Sequence, residues 1–376
     1  MSASSKVITC KGAVCWGIGE GVKVEEIQVD PPRASEIRVK MLCASVCHTD
    51  LFATMGFVHA NYPQVLGHEG IGVVESIGEE VKNVKVGDVV IPLYLGECQE
   101  CEECIKGKTN LCRTYPIRLT GLMPDNTSRM SVRGHKAYHL MSCATWCEYM
   151  VVDANYVLKV DPTTIDAAHG SFISCGFSTG FGAAWKEAMV EQGSSVAVFG
   201  LGAVGLGAVS GAKLMGATKI IGIDKNEKKR EKGEAFGMTE FINPDKLLSD
   251  QTVSQAVKEL SGGMGVDYSI ECTGAPLLLN QAMESTKVGV GKTVVVGTGA
   301  ESVQLNCRTF MYGRSLKGSV FGGIKPISDL PFIAHKCHTK EIPIHELFTH
   351  EVHLEDIGKA FELMRHPDCV KVVIKM

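Results

Sequence analysis

Four cysteines spaced Cys98-x2-Cys101-x2-Cys104-x7-Cys112 put four soft ligands into one short segment that is poor in apolar residues. A zinc tetrathiolate is the natural occupant of such a set, with an iron–sulfur cluster as the competing one, since similar spacings occur there. Four ligands close the coordination sphere, so a metal held here is expected to be structural. The run Gly200-Leu201-Gly202-Ala203-Val204-Gly205 carries a second chemical signal. It follows a short apolar run and opens a small-residue stretch, the context in which G-x-G-x-x-G cradles a dinucleotide pyrophosphate at a helix N-terminus. Gly200 makes the turn, Gly202 lets the backbone approach the phosphates, and Gly205 lets helix pack closely on sheet. Asp224 ends the next apolar run, where an acid accepts hydrogen bonds from the adenosine ribose. A carboxylate repels a 2′-phosphate and so favours NAD over NADP. The neighbouring Lys225, Lys228, Lys229 and Arg230 work against that preference. Most of this run reads as the solvated face of a helix, but Lys225 and Lys229 remain candidate cofactor contacts. The residues leave NAD versus NADP open.

Cys47, His68 and Cys175 would be unremarkable taken singly, but their flanks are not. Gly67-His68-Glu69-Gly70-Ile71-Gly72, continuing to Gly78 and Val81, fits the signature G-H-E-x2-G-x5-G-x2-V throughout. Together with the four-cysteine segment, Cys175-Gly176-Phe177-Ser178-Thr179-Gly180 and residues 200–224, all in the same order, it makes the chain resemble the zinc-containing, medium-chain alcohol dehydrogenase family. The likeness is to the plant branch and runs from about residue 6 to the C-terminus. It implies a catalytic zinc held by Cys47, His68 and Cys175 with an open fourth position, hence two zinc ions per chain beside NAD(P)(H). It further implies that Asp50 orients His68 and that the Thr49 hydroxyl bonds the substrate oxygen. Glu69 would either help ligand exchange or form a buried salt bridge. His48 stands where a pyrophosphate-binding Arg is usual, and Lys371 matches the other basic pyrophosphate contact. Thr179 and Val204 would pack on the nicotinamide, with Val296 and Thr298 at its carboxamide end.

One departure bears on mechanism. Where several family members carry a proton-relaying His, this chain has Phe52, preceded by Leu51. Neither side chain moves a proton, so alcohol oxidation near neutral pH is expected to be poor and aldehyde reduction to dominate. Phe52, Phe57, Tyr94, Met123 and Met141 are the expected pocket residues, all apolar or aromatic, and suit a roomy, hydrophobic substrate. The resemblance extends to plant branches that reduce carbonyls of specialised metabolism, an alkaloid aldehyde such as hyoscyamine aldehyde being one example. Tyr115-Pro116 stands where the glutathione-dependent formaldehyde dehydrogenase branch has an Arg, which disfavours that branch. A general NAD-linked ethanol dehydrogenase is the alternative. A non-catalytic nucleotide-binding protein would show a damaged zinc triad, and this triad is intact.

The elements that must position these residues fall into two textures. Residues 37–90 alternate β-rich runs with Gly and Pro punctuation, the pattern of short strands and turns, whereas regularity disappears between 98 and 142. From about residue 175 the pattern becomes βαβαβ: a buried strand at 195–199, a helix at 203–215 and a strand at 220–223. A charged helix follows at 225–236, then strands at 266–270 and 292–296. The expected fold is α/β: a Rossmann, doubly wound parallel sheet inserted in a discontinuous, β-rich, GroES-like catalytic domain. Residues 178–322 would form the first, and 1–177 with 323–376 the second. A length of 376 residues accommodates two such domains. A net charge of −4 supplies no basic field for nucleic acid or an anionic membrane. No run is long enough to span a membrane and no signal peptide opens the chain, so a cytoplasmic protein with reduced thiols is expected despite its 15 cysteines. The resemblance implies a homodimer, with residues 292–321 as the edge region.

Overall fold

A computed structural model describes residues 6–57, 61–299 and 302–376. The chain divides into two compact units, one running to Cys175 and resuming at Lys325–Met376, the other formed by Gly176–Ile324.

The first unit is built from β-strands. Ile8–Cys15, Val22–Val29, Met130–Val132, His135–His139 and Gln64–Val65 close into a small barrel. A second sheet runs in the order Val157–Val160, Val89–Pro92, Gly70–Ile77, Glu36–Ser45, Lys371–Lys375 and Phe348–His353, with Tyr149–Asp153 also paired to Glu36–Ser45. Ile37, Val39 and Met41 of Glu36–Ser45 and Ile71 and Val74 of Gly70–Ile77 are buried, and burial of such side chains helps fix the register. Ala44 lies opposite Gly70, so the loops carrying Cys47 and His68 leave the same end of one antiparallel ladder. Lys371–Lys375 pairs Val373 with Ser45, which brings Lys371 to that end as well. Sheet register alone therefore gathers three chemically active side chains that are far apart in sequence.

The second unit holds a six-stranded parallel sheet in the order Glu240–Ile242, Lys219–Ile223, Ser195–Phe199, Tyr268–Glu271, Lys292–Val295, Ser315–Gly318. In chain order this is the 3-2-1-4-5-6 arrangement of a dinucleotide-binding sheet, whose switch point lies beside Ser195–Phe199. Ala197, Phe199, Ile221 and Ile223 are buried in its core, as parallel strands covered on both faces require.

The structure corrects three expectations. The charged helix begins at Lys229 rather than 225, because the Asp224 carboxylate takes the Asn226 amide and forms a turn. The fourth strand is Tyr268–Glu271. Val266 makes only an isolated bridge to Thr286. Residues 98–142 are not devoid of regularity, since they hold the helix Glu102–Lys106 and the hairpin Met130–Val132/His135–His139. Among the described residues no helix is long and apolar enough to cross a membrane.

Candidate active site and metal centres

Cys47 caps the helix His48–Thr54 just after the strand Glu36–Ser45, and His68 lies in the loop before Gly70–Ile77. Cys175 follows the helix Ala167–Ile173. Donor atoms of Cys47, His68, Glu69 and Cys175 all lie within 4.8 Å of one another. His68 Nδ1 is 3.1 Å from Asp50 Oδ1, while its Nε2 is buried with no hydrogen-bond partner. An orphaned ring nitrogen costs about 1–3 kcal/mol unless something fills the place. Two sulfurs beside it supply the soft, anionic donors that zinc takes. The residues therefore fit a metal.

Electrostatics point the same way. Burial pushes the His68 imidazole down, but the charges of Asp50 and Cys47 outweigh it and hold it well above its ordinary value. A hydrogen bond from Cys175 lowers Cys47 well below the usual thiol range, with the His68 and Lys371 charges assisting. The hydrogen bond with Cys47, and then burial, push Cys175 the other way, well above that range, so a metal held here would have to displace its proton. Asp50 does more than face His68, for it also accepts the Cys47 amide at 2.9 Å and the Gly67 amide at 3.2 Å. One carboxylate consequently ties both ligand loops together. Glu69 is fully buried and its Oε2 meets the Lys371 ammonium and, at 2.5 Å, Ser45 Oγ. The buried salt bridge expected as one of its roles is present. Lys371, expected at a pyrophosphate, spends its ammonium on Glu69 and on the Val46 carbonyl at 3.2 Å.

The four-cysteine lobe brings all four sulfurs within 4.8 Å of one another. Cys98 Sγ and Cys104 Sγ are 3.9 Å apart, as are Cys101 Sγ and Cys112 Sγ. That is too long for disulfides and close to the roughly 3.8 Å edge of a tetrahedron of Zn–S bonds near 2.3 Å. Backbone amides of Cys101 and Tyr115 donate to Cys98 Sγ and Cys112 Sγ at 3.2 and 3.3 Å, the support a thiolate cluster needs. Beside it, Glu97 accepts hydrogen bonds from the Ile327 and Ser328 amides, each at 2.9 Å, and from Ser328 Oγ at 2.5 Å. Lys325 Nζ donates to the Cys104 carbonyl at 2.6 Å.

In the second unit Gly200 turns with φ +89°, a conformation L side chains rarely adopt. A Cβ on Gly205 would meet the Gly200 carbonyl at 1.8 Å, so helix and turn pack in contact. A Cβ on Gly202 would meet nothing within 4 Å, which leaves open space over the helix N-terminus. The first intrahelical bond of Ala203–Leu214 is Leu206 N to the Gly202 carbonyl at 2.9 Å, and the amides ahead of it face the orphan position that an anion satisfies. Val204 lies in this first turn and Thr179 in the helix Gly176–Gly182. Asp224 braces the turn, accepting the Leu201 amide at 2.8 Å. Lys225 follows it directly, and Lys229 is a buried residue at the start of its helix. Val296 follows Lys292–Val295 with its amide on the Glu271 carbonyl at 3.0 Å, and Thr298 comes two residues later.

Thr49 Oγ1 is 3.8 Å from Cys47 Sγ. Phe52 stacks between His48 and Phe57, with centroid separations of 6.3 and 5.8 Å, and Tyr94 lies against His68. Met123 and Met141 are buried. Sequence reasoning missed Ser45, which anchors Glu69, and Glu97. Neither belongs to a motif, and only the fold reveals them.

Two nucleotide- and metal-binding constellations on this pair of units define a zinc-binding dehydrogenase. Residues 33–162 match the family model described as alcohol dehydrogenase GroES-like domain, and residues 203–335 match zinc-binding dehydrogenase. Alcohol dehydrogenase 1 of Artemisia annua is 56% identical over 372 residues, covering 98% of each chain. "CYP enzymes assisting alcohol dehydrogenase" of Catharanthus roseus is 58% identical over 377 residues, covering 99% of this chain and 100% of that one. Benzyl alcohol dehydrogenase from Acinetobacter calcoaceticus superposes with a TM-score of 0.88 at 27% identity, covering 98% of this chain and 99% of that one. The chain belongs to the zinc-containing, medium-chain alcohol dehydrogenase family. It is an oxidoreductase of the alcohol dehydrogenase class, whose substrates are small-molecule alcohols or aldehydes and whose members in general use zinc and a nicotinamide cofactor.

Proposed function

We propose that this enzyme works chiefly as a reductase of bulky, apolar aldehydes, such as an aldehyde of plant specialised metabolism, with two zinc ions per chain. The carrying observation is Phe52, in ring contact with His48 and Phe57, whose own side chain cannot pass a proton. Zinc bound by Cys47, His68 and Cys175 supplies Lewis acidity toward the reacting oxygen. Thr49 bonds that oxygen, Asp50 fixes the His68 tautomer, and the aromatic residues exclude water. The Gly200–Gly205 turn would take the pyrophosphate of a reduced nicotinamide, which would supply the hydride, and the proton that completes the alcohol would reach Thr49 from water or a ribose hydroxyl. Cys98, Cys101, Cys104 and Cys112 hold the structural zinc.

A second reading is a general NAD-linked ethanol dehydrogenase, favoured by Asp224 at the ribose position. Assays of hyoscyamine aldehyde, benzaldehyde and acetaldehyde with NADH and NADPH side by side separate the two. Acetaldehyde as the best substrate would overturn the first. A homodimer is the proposed assembly, supported by the strand Ser315–Gly318, paired on one side only among the described residues, and by the exposed Met311 and Tyr312 before it.

A further inference from the structure

Tyr94 lies two residues beyond the strand Val89–Pro92 and is 7% exposed. Its ring meets that of His68 edge-on, with centroids 5.8 Å apart and planes at 77°. Its phenol oxygen lies 3.9 Å from Cys175 Sγ, and its carbonyl accepts a hydrogen bond from Ser142 Oγ at 3.5 Å. One side chain thus touches two of the three triad residues through different parts, ring to imidazole and hydroxyl to sulfur. That placement exceeds what lining a substrate pocket requires.

We infer that Tyr94 is a positioning residue of the metal centre, its hydroxyl donating a hydrogen bond to the Cys175 thiolate while its ring holds His68 in place. A neutral Cys175 donates to the phenol oxygen. Once deprotonated to serve as a ligand, the sulfur can only accept, and the phenolic hydrogen turns toward it. A donor on a buried thiolate stabilises its charge and reduces how strongly the sulfur gives electron density to a metal. Phenylalanine would keep the ring and lose only the donor. The inference rests on Cys47, His68 and Cys175 being the metal ligands.

The test compares the full-length protein with Tyr94→Phe after cobalt reconstitution, using Cys175→Ser to assign the triad's sulfur-to-cobalt absorption. In Tyr94→Phe that band moves to longer wavelength, because the sulfur lone pairs lose stabilisation. Zinc affinity in chelator competition falls about tenfold, within the range for loss of an outer partner. Circular dichroism checks that the fold is kept. An unshifted band with unchanged zinc affinity overturns the inference, even if the KM for aldehyde rises. Wild-type protein showing no band that Cys175→Ser removes overturns the ligand reading itself, which is a distinct result.

Discussion

The Lys371 ammonium and the Glu69 carboxylate pair inside the first unit, at 3% and 0% side-chain exposure, behind the sulfur of Cys47. Burial raises the Glu69 carboxyl, and the Lys371 charge works against that rise. The pair keeps a carboxylate next to a metal site without leaving its charge uncompensated.

Removing one partner strands the other. Lys371→Met should destabilise the enzyme by about 3–5 kcal/mol in urea unfolding, the usual cost of breaking a buried pair. Glu69→Gln combined with Lys371→Met should be less destabilising than the sum of the two single changes. Simple additivity would show the pair to be uncoupled.

Asp50 binds both ligand loops, so Asp50→Ala should lower zinc affinity at the triad by about 10–100-fold. Zinc content after graded chelation is the measure. The four-cysteine zinc should be unaffected, giving loss of one metal per chain rather than two.

Phe52→His should restore a proton path. Alcohol oxidation near neutral pH should rise about a hundredfold, the low side of what a positioned acid–base group supplies, and the rate should vary less between about pH 6 and 10. Because a catalyst cannot shift the equilibrium, kcat/KM for reduction should rise in step at the same pH. Wild-type oxidation already fast at neutral pH would contradict the proposed direction.

His139 lies in the barrel strand His135–His139, fully buried with both ring nitrogens unpartnered. Burial first, and then the nearby Arg129 charge, lower it to about 4. The unfolded chain binds this proton near pH 6.5 and the folded chain does not. The stability it contributes is therefore complete above about 6.5 and is lost as pH falls toward 4, about 3 kcal/mol in all. His139→Leu should flatten the urea midpoint across that window.

The chemical groups of this enzyme were more legible in sequence than the contacts that hold them. Cysteine spacing and the Gly200–Gly205 turn are local, so their geometry follows from a few neighbouring residues. The strand Ser195–Phe199 is apolar after its first residue and Lys292–Val295 ends in two valines, so both stand out as short β runs. Val266 resembles them in composition, but its amide is taken by the Ser285 carbonyl and only an isolated bridge forms. Lys371 matched a phosphate contact by position, and its partner Glu69 lies 302 residues away, beyond the reach of any local pattern. Glu97 acts through a similarly long-range bond to Ser328, and Ser45 reaches Glu69 across 24 residues.

Glu97 and Ser328 are separated by 231 residues. At translation rates of about 5–20 residues per second, the four-cysteine lobe emerges tens of seconds before the segment it grips. During that interval the Glu97 carboxylate still lacks its three donors. The C-terminal segment Lys325–Met376 thus lands on a lobe made well before it.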